Sequence, residues 1–226
     1  MSAGASSGAL RLVDQMPVAN RRNTMMLLGL LPVVLGATAF VTMAVQDQTY
    51  VPSPTFKPTG QSRPRVGVVY YSRSGHSEAV AREVAQMFDA PIARISSDYP
   101  LSFAGQGKAL ADARSEALPA IEVEPIDLQP LQRVYLVSPT WLFRPAMPLW
   151  SYVEQTDLSG KEVVLITTGN SRFEQAGTDE FAKRVEVRGG RLVRHVFLRR
   201  GRIFWQMTRE ELLEAVRSRE PLMPEA

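Results

Sequence analysis

A hydroxyl-rich turn that contains a glycine lies between a predicted strand and a predicted helix. Its sequence is Ser72-Arg73-Ser74-Gly75-His76-Ser77, and the apolar run Val66–Tyr71 directly precedes it. In such a turn, hydroxyls and backbone N–H groups face the same point, and the N-terminus of the following helix favours negative charge. The turn therefore predicts a phosphate-binding loop, although an ordinary capped turn has the same residue types.

The overall composition restricts the chemistry that the chain can perform. The sequence contains no cysteine and only two histidines, His76 and His195. This excludes disulfides and thiol chemistry and argues against a metal site. No paired acid and base stand out, so we predict no catalytic side chain.

The formal net charge of +3 is unevenly distributed along the chain. Residues 183–202 carry many basic side chains, with Glu186 as the only acidic residue among them. This basic stretch is either a solvated face or a docking surface for an acidic protein or an anionic membrane. Nucleic acid is not a predicted partner, because the stretch lacks interleaved aromatic residues that stack on bases. The basic residues are Lys183, Arg184, Arg188, Arg191, Arg194, Arg199, Arg200 and Arg202.

The N-terminal part of the chain has the pattern of an anchor or export segment. Residues 1–24 are predicted to be disordered, whereas residues 25–45 carry no charge and are long enough to span a bilayer. Arg21-Arg22 precede the span, so the positive-inside rule places the domain on the periplasmic, extracytoplasmic side of the cytoplasmic membrane. Residues 46–64 are rich in proline and are predicted to be a linker.

Alternatives to a retained transmembrane anchor stay open at this level. The motif Ala37-Thr38-Ala39 resembles a signal-peptidase site, so the segment is either kept or cleaved near Ala39. Arg21-Arg22 also match part of a twin-arginine export signal. That route exports folded proteins, which would let a domain load its cofactor before export.

From Val66 onward, predicted strands and helices alternate. Five such strands predict a three-layer α/β domain, doubly wound, whose parallel sheet has the order 2-1-3-4-5. Ligands of such sheets bind beyond the carboxyl ends of strands one and three, which lead into Ser72–Ser77 and Ser138–Phe143. The predicted strands are Val66–Tyr71, Pro91–Ile95, Arg133–Ser138, Glu162–Thr167 and Arg191–Leu198, and the predicted helices are Ser77–Phe88, Lys108–Ala117, Met147–Gln155, Thr178–Arg188 and Thr208–Arg217.

Three loops of the predicted domain, taken in chain order, resemble the flavin-binding loops of the flavodoxin family. The resemblance covers residues 65–226. The hydroxyl-rich turn resembles the family's phosphate loop, Ser138-Pro139-Thr140-Trp141 its second loop and Thr167-Thr168-Gly169-Asn170-Ser171 its third. The resemblance implies that the domain binds FMN and that Trp141 offers a flat face to the flavin ring. The implied cofactor-binding residues are Ser72, Arg73, Ser74, Gly75, His76, Ser77, Pro139, Thr140, Trp141, Leu142, Phe143, Thr168, Gly169 and Asn170.

Two features depart from the family pattern. Electron-carrying flavodoxins are typically acidic, whereas this chain is slightly basic, and the third loop continues as Ser171-Arg172-Phe173, where small residues are common. The resemblance, together with the predicted N-terminal anchor or export segment, leads us to expect an FMN-binding redox protein of the cell envelope that transfers electrons or reduces a small acceptor such as a quinone. The alternative is a membrane-tethered domain of the same fold that no longer binds flavin and serves as a binding module.

Overall fold

The computed structural model describes residues 18–59, 65–202 and 205–219. The chain divides into two compact units, Met1–Gln46 and Asp47–Ala226. Helix α1 begins at Val18 in the first unit and ends at Gln48, two residues into the second. Its segment Asn23–Gln46 has a mean hydropathy of 2.1 and is long enough to cross a membrane.

The N-terminal helix is longer than the predicted span of residues 25–45. Residues 18–24 belong to α1, so the prediction of disorder is wrong for them. The rest of the predicted disordered segment, residues 1–17, lies outside the described residues. Asn23 and Thr24 are compatible with a helix because only glycine and proline strongly oppose one, and the apolar residues that follow continue it.

The second unit contains a parallel sheet with the predicted strand order. The long strands, numbered along the chain, follow the spatial order β2-β1-β4-β6-β7, which is the predicted order 2-1-3-4-5. Two short strands join them: β3 pairs antiparallel with β2, and β5 pairs antiparallel with β4. The strands are β1 Val66–Tyr71, β2 Ile92–Ser96, β3 Glu122–Val123, β4 Arg133–Trp141, β5 Arg144–Pro145, β6 Glu162–Gly169 and β7 Arg191–Arg199.

Helices cover both faces of the sheet, as expected for buried parallel strands. Alternate residues of β1 point to opposite sides: Val68 and Tyr70 pack in one core cluster, and Val69 and Tyr71 in the other. Helices α2 and α6 contribute to the first cluster, and α3, α4 and α5 to the second. The helices are α2 His76–Phe88, α3 Phe103–Ser115, α4 Met147–Gln155, α5 Gln175–Val187 and α6 Arg209–Arg217.

Most predicted elements agree with the structure within a few residues, and α3 is the main exception. The sequence predicted a helix from Lys108, whereas α3 begins at Phe103 with Ser102 as its N-cap. The Ser102 hydroxyl accepts a hydrogen bond from the Gly105 N–H at 3.2 Å. The first turn was missed because Gly105 and Gly107 lower the helix propensity, while the capping serine and the packing of Ala109 stabilise it.

Residues Thr49–Thr59, called the strap below, lie against the domain. The Val51 N–H donates to the Ser74 carbonyl at 3.1 Å, and an Arg209 N–H donates to the Pro52 carbonyl at 2.8 Å. At the far end of the strap, the Thr59 N–H donates to the Asp89 carboxylate at 2.7 Å. The predicted linker over residues 46–64 is therefore wrong for the strap, and residues 60–64 lie outside the described part.

An aromatic side chain fastens the middle of the strap. Phe56 is half-buried and packs against the core cluster formed by β1, α2 and α6. We expect Phe56→Ala to lower the free energy of unfolding of the domain by about 1–3 kcal/mol, because the lost apolar contact is only half-buried. Chemical denaturation of the full chain in a neutral detergent, followed by tryptophan fluorescence, measures the change.

The matched control for Phe56 is Phe103, which carries the same side chain but is 58% exposed. Phe103→Ala should change the free energy of unfolding by less than about 0.5 kcal/mol. Equal effects of the two substitutions would show that the strap adds nothing to the stability of the domain.

Candidate functional site

A cavity lies beyond the carboxyl ends of β1, β4 and β6, where the sheet order reverses. Its volume is about 230 Å³, and we call it the loop cavity. All of the implied cofactor-binding residues line it except Gly75, which lies in the turn behind it. The residues that line the loop cavity are Ser72, Arg73, Ser74, His76, Ser77, Gln106, Ala109, Leu110, Pro139, Thr140, Trp141, Leu142, Phe143, Thr168, Gly169, Asn170, Ser171 and Arg200.

The first loop leads from β1 into α2 through a left-handed glycine. Gly75 has a φ of 91°, a conformation that residues with a Cβ adopt at a cost. Its N–H donates to the Ser72 hydroxyl at 3.1 Å. A Cβ on Gly75 would also lie 2.1 Å from the Val51 carbonyl oxygen of the strap. Glycine is therefore required here both by the turn and by the strap that passes over it.

A hydrogen bond between side chains connects the first loop with the third. The hydroxyls of Ser77 and Thr168 lie 2.9 Å apart, and both residues are buried. Ser77 is in the first turn of α2, where the backbone N–H groups lack intrahelical partners. This bond fixes the N-terminus of α2 beside the end of β6, so helix N–H groups and hydroxyls border the same cavity.

Three basic side chains line the loop cavity, those of Arg73, His76 and Arg200. Arg200 follows β7 and is 7% exposed, and it lines the cavity together with His76. Burial lowers the pKa of His76 to about 4, with the positive charges of Arg200 and Arg209 adding to the effect. His76 is therefore neutral at pH 7, and the positive charges that line the cavity are those of Arg200 and Arg73.

Sequence reasoning predicted an anion site that needs no arginine, and it missed Arg200. The residue was grouped with the basic stretch, although its place directly after the last parallel strand could have identified it. Gln106, Ala109 and Leu110 were missed as well. All three lie on α3; Gln106 falls in the part that was predicted as loop, whereas Ala109 and Leu110 lie within the predicted helix and carry no signal of a binding site.

The second loop is a two-residue hairpin between β4 and β5. Trp141 pairs with Arg144, so Leu142 and Phe143 form the turn. Both have positive φ angles, 46° and 68°, as in a type I′ turn. Glycine and asparagine are usual at such positions, and apolar side chains there are strained. The turn directs two apolar side chains to the wall of the loop cavity.

Trp141 belongs to the core as well as to the cavity wall. It is the last residue of β4 rather than a loop residue, and it is 8% exposed. Its ring packs edge-to-face against Tyr71 and Tyr99, with centroid distances of 5.6 Å and 4.8 Å. Stacking of Trp141 on a flavin ring stays a prediction, because the indole is largely buried and already contacts these two tyrosines.

The third loop approaches the second very closely. A Cβ on Gly169 would lie 2.4 Å from the Thr140 hydroxyl oxygen, so the two loops are this close only because Gly169 lacks a side chain. The bulky Phe173 packs against His195 and Phe197 at 4.6 Å and 5.3 Å between ring centroids. It is absent from the cavity wall, so this departure from the family pattern leaves the cavity open.

Metal ligands do not converge in the part of the chain that the structure describes. No group of three histidine, aspartate or glutamate side chains there is arranged to hold an ion. The candidate site is therefore a crevice of hydroxyls, helix N–H groups, two arginines and several apolar side chains.

Comparisons with known proteins agree with this geometry. The sequence model of a flavodoxin family matches residues 65–205. The chain belongs to the flavodoxin family. No curated protein matches the sequence.

Solved structures of low sequence identity share the fold of this flavodoxin domain. A putative flavoprotein from Bacteroides uniformis has a TM-score of 0.54 at 18% identity, over 68% of this chain and 98% of that one. A flavoprotein from Lactobacillus acidophilus in complex with FMN has a TM-score of 0.52 at 19% identity, over 59% and 92% of the two chains. A putative flavoprotein from Bacteroides eggerthii has a TM-score of 0.52 at 14% identity, over 69% and 99%.

The flavodoxin domain should lose stability as the pH falls from about 6.5 towards 4. Burial lowers the pKa of His195 to about 4, as it does for His76. A histidine with a lowered pKa takes up its proton first in the unfolded state, so stability is present above pH ~6.5 and declines below it. Chemical denaturation of the full chain at several pH values measures the decline.

The histidine effect is separable from that of carboxylates, which gain protons only below about pH 5. His195→Gln keeps a polar partner for the Thr167 hydroxyl, which lies 2.7 Å from the His195 Nε2 atom. We expect the variant to lose about half of the decline between pH 6.5 and 5, because one of two histidines is removed. An unchanged slope would contradict the assigned pKa of His195.

Proposed function

We propose that the flavodoxin domain binds FMN in the loop cavity and acts as a redox protein of the cell envelope. One observation carries this proposal: the three loops and Arg200 border a single cavity at the reversal of the strand order. The polar groups are the kind that hold a phosphate, and the apolar groups are the kind that cover an aromatic ring. The residues present therefore fit the cofactor.

The phosphate would be held at the polar side of the loop cavity. The hydroxyls of Ser72, Ser74 and Ser77 line it beside the N-terminus of α2, whose dipole favours an anion. Arg200 adds a full positive charge that is screened less than a surface charge because the residue is buried. Neutral His76 adds a ring nitrogen that is able to hydrogen-bond the phosphate.

The flavin ring would lie between the second and third loops. Trp141, Leu142 and Phe143 form the apolar wall on one side, and Thr168, Gly169 and Asn170 lie on the other. The missing Gly169 side chain lets backbone groups approach the polar edge of a ring. Bound FMN supplies the redox chemistry, and these residues orient it and shield it from water. The bound cofactor would allow electrons to be passed to a protein or to a small acceptor such as a quinone.

A negative charge in the first loop tests the phosphate assignment. Ser74→Asp should lower the FMN affinity at least ~100-fold, because a carboxylate near the phosphate adds about 3 kcal/mol of repulsion. Flavin fluorescence quenching during titration of the full chain in a neutral detergent measures the affinity. Ser96 is exposed and outside the cavity wall, so Ser96→Asp should leave the affinity within about twofold of the wild type.

The outcomes separate the two functions that the sequence left open. Flavin absorption bands in the purified wild type, lost in Ser74→Asp alone, support the FMN site. A wild type that binds no FMN would favour the binding module. Equal losses of FMN affinity in Ser74→Asp and Ser96→Asp would show that the phosphate binds elsewhere.

We further propose that α1 holds the flavodoxin domain at the extracytoplasmic face of the cytoplasmic membrane. Supporting this are the apolar segment Asn23–Gln46 and the pair Arg21-Arg22 before it. Protease added to intact spheroplasts should therefore degrade the domain while cytoplasmic markers survive. Protection of the domain until lysis would contradict this orientation.

A cleaved twin-arginine signal is the alternative to a retained anchor. Replacing Arg21-Arg22 with two lysines keeps the charge, so a membrane anchor should still insert normally. A block of export by this substitution would favour the twin-arginine route. A mature protein that begins near Ala39 would show that the anchor is removed.

A further inference from the structure

A second, open cavity lies beside the loop cavity and is strongly basic. Its volume is about 740 Å³, and we call it the arginine groove. Phe143, Asn170, Ser171 and Arg200 line both cavities, so the groove begins where the proposed flavin site ends. The remaining residues of its lining are Arg172, Arg199, Gly201, Arg202, Trp205 and Met207.

The exposed arginines of the arginine groove, Arg172, Arg199 and Arg202, keep most of their positive charge. Its described lining contains four arginines and no acidic residue. Arg199 and Arg202 are exposed, and neither forms an ion pair with an acidic residue in the described ranges. Arg172 reaches Glu174 at 3.4 Å, but both side chains are more than half exposed, at 67% and 54%. Such a surface pair is weak, so the groove keeps a positive potential.

A large aromatic side chain is exposed at the rim of the arginine groove. Trp205 is 82% exposed, although burying a tryptophan normally stabilises a protein. Tryptophan and arginine are the residues most enriched at the energetic centres of protein interfaces. The rim therefore has the composition of a docking surface.

We propose that the arginine groove is the docking site for an acidic electron-transfer protein that exchanges electrons with the flavin. The inference rests on the proposed FMN function and specifies its partner. Arg172, Arg199 and Arg202 lie in water, where each contact is weak but their combined field attracts a partner over a Debye length. A partner with an extended acidic surface is attracted by all of these arginines together. A small anion, in contrast, is bound well only in a closed, desolvated site.

Docking in the arginine groove would bring the partner's redox centre to the exposed side of the flavin. Because four residues line both cavities, the groove directly adjoins the proposed cofactor site. In one transfer step, a reduced iron–sulfur protein loses one electron and the bound flavin gains it.

The experiment uses a reduced, acidic plant-type [2Fe–2S] ferredoxin as the probe. Stopped-flow absorption measures its rate of oxidation by the FMN-loaded full chain in a neutral detergent, at several ionic strengths. At low salt, Arg199→Glu/Arg202→Glu should slow the reaction at least ~10-fold, because steering raises association rates by 10- to 1000-fold. The wild-type rate should fall as the ionic strength rises.

The matched control is Lys183→Glu/Arg194→Glu. It makes the same change in net charge within the same basic stretch, at exposed positions outside both cavities. Its rate should stay within about threefold of the wild type, because distant surface charges are largely screened. Equal slowing in both double variants would show that net charge alone acts and would overturn the docking site.

A second measurement needs no flavin and separates this inference from the FMN proposal. Titration calorimetry with oxidised ferredoxin should detect binding to the wild type and to the control, but not to Arg199→Glu/Arg202→Glu. Binding without any flavin bands would support the groove and contradict the cofactor. If light and a chemical donor reduce the bound flavin but ferredoxin does not bind, the docking site is contradicted and the FMN proposal still stands. Displacement of ferredoxin by citrate at constant ionic strength would reassign the groove to small anions.

Discussion

The parallel pairing of β1 with β4 is the constraint on which the candidate site depends. In the register Val66 with Arg133 through Tyr70 with Val137, the two strands end at the same edge of the sheet. The chain leaves β1 through α2 on one face and leaves β4 towards α4 on the other. The two connections therefore diverge, and the loop cavity lies between them.

The hydroxyl-rich loop in this crevice is supported from two directions. On one side the Ser77 hydroxyl contacts Thr168 of β6, and on the other the strap contacts Ser74 and covers Gly75. The strap also meets the first turn of α2, where the Tyr50 hydroxyl donates to the buried Glu78 carboxylate. Arg82 forms an ion pair with the same carboxylate at 2.9 Å, so its negative charge is balanced close to the proposed phosphate site.

The sequence was sufficient to predict the sheet and the position of the site. Apolar runs such as Val66–Tyr71 mark strands that are buried on both faces, and the capping box of Thr208 and Glu211 marks the start of α6. The loops after β1, β4 and β6 follow from the strand order, which is a rule about topology rather than about single residues.

Features that depend on contacts between distant segments were not predictable in this way. The strap has the proline-rich composition of a linker, and only its packing of Phe56 and its bonds to α2 and α6 show that it is part of the domain. Among the residues of the basic stretch, only its position after the last parallel strand sets Arg200 apart, because residue type alone does not show which charge is buried.

The Leu142-Phe143 turn has a consequence for how the domain balances stability against use of its cavity. Holding two apolar residues at positive φ costs about 1–2 kcal/mol each, and asparagine and glycine would relieve this strain. Those residues would also remove two apolar side chains from the cavity wall and the ring over which the Arg172 guanidinium lies at 4.4 Å. A less strained hairpin would thus shield the loop cavity less completely from water. The sequence that makes the turn most stable therefore differs from the sequence that best excludes water from the cavity.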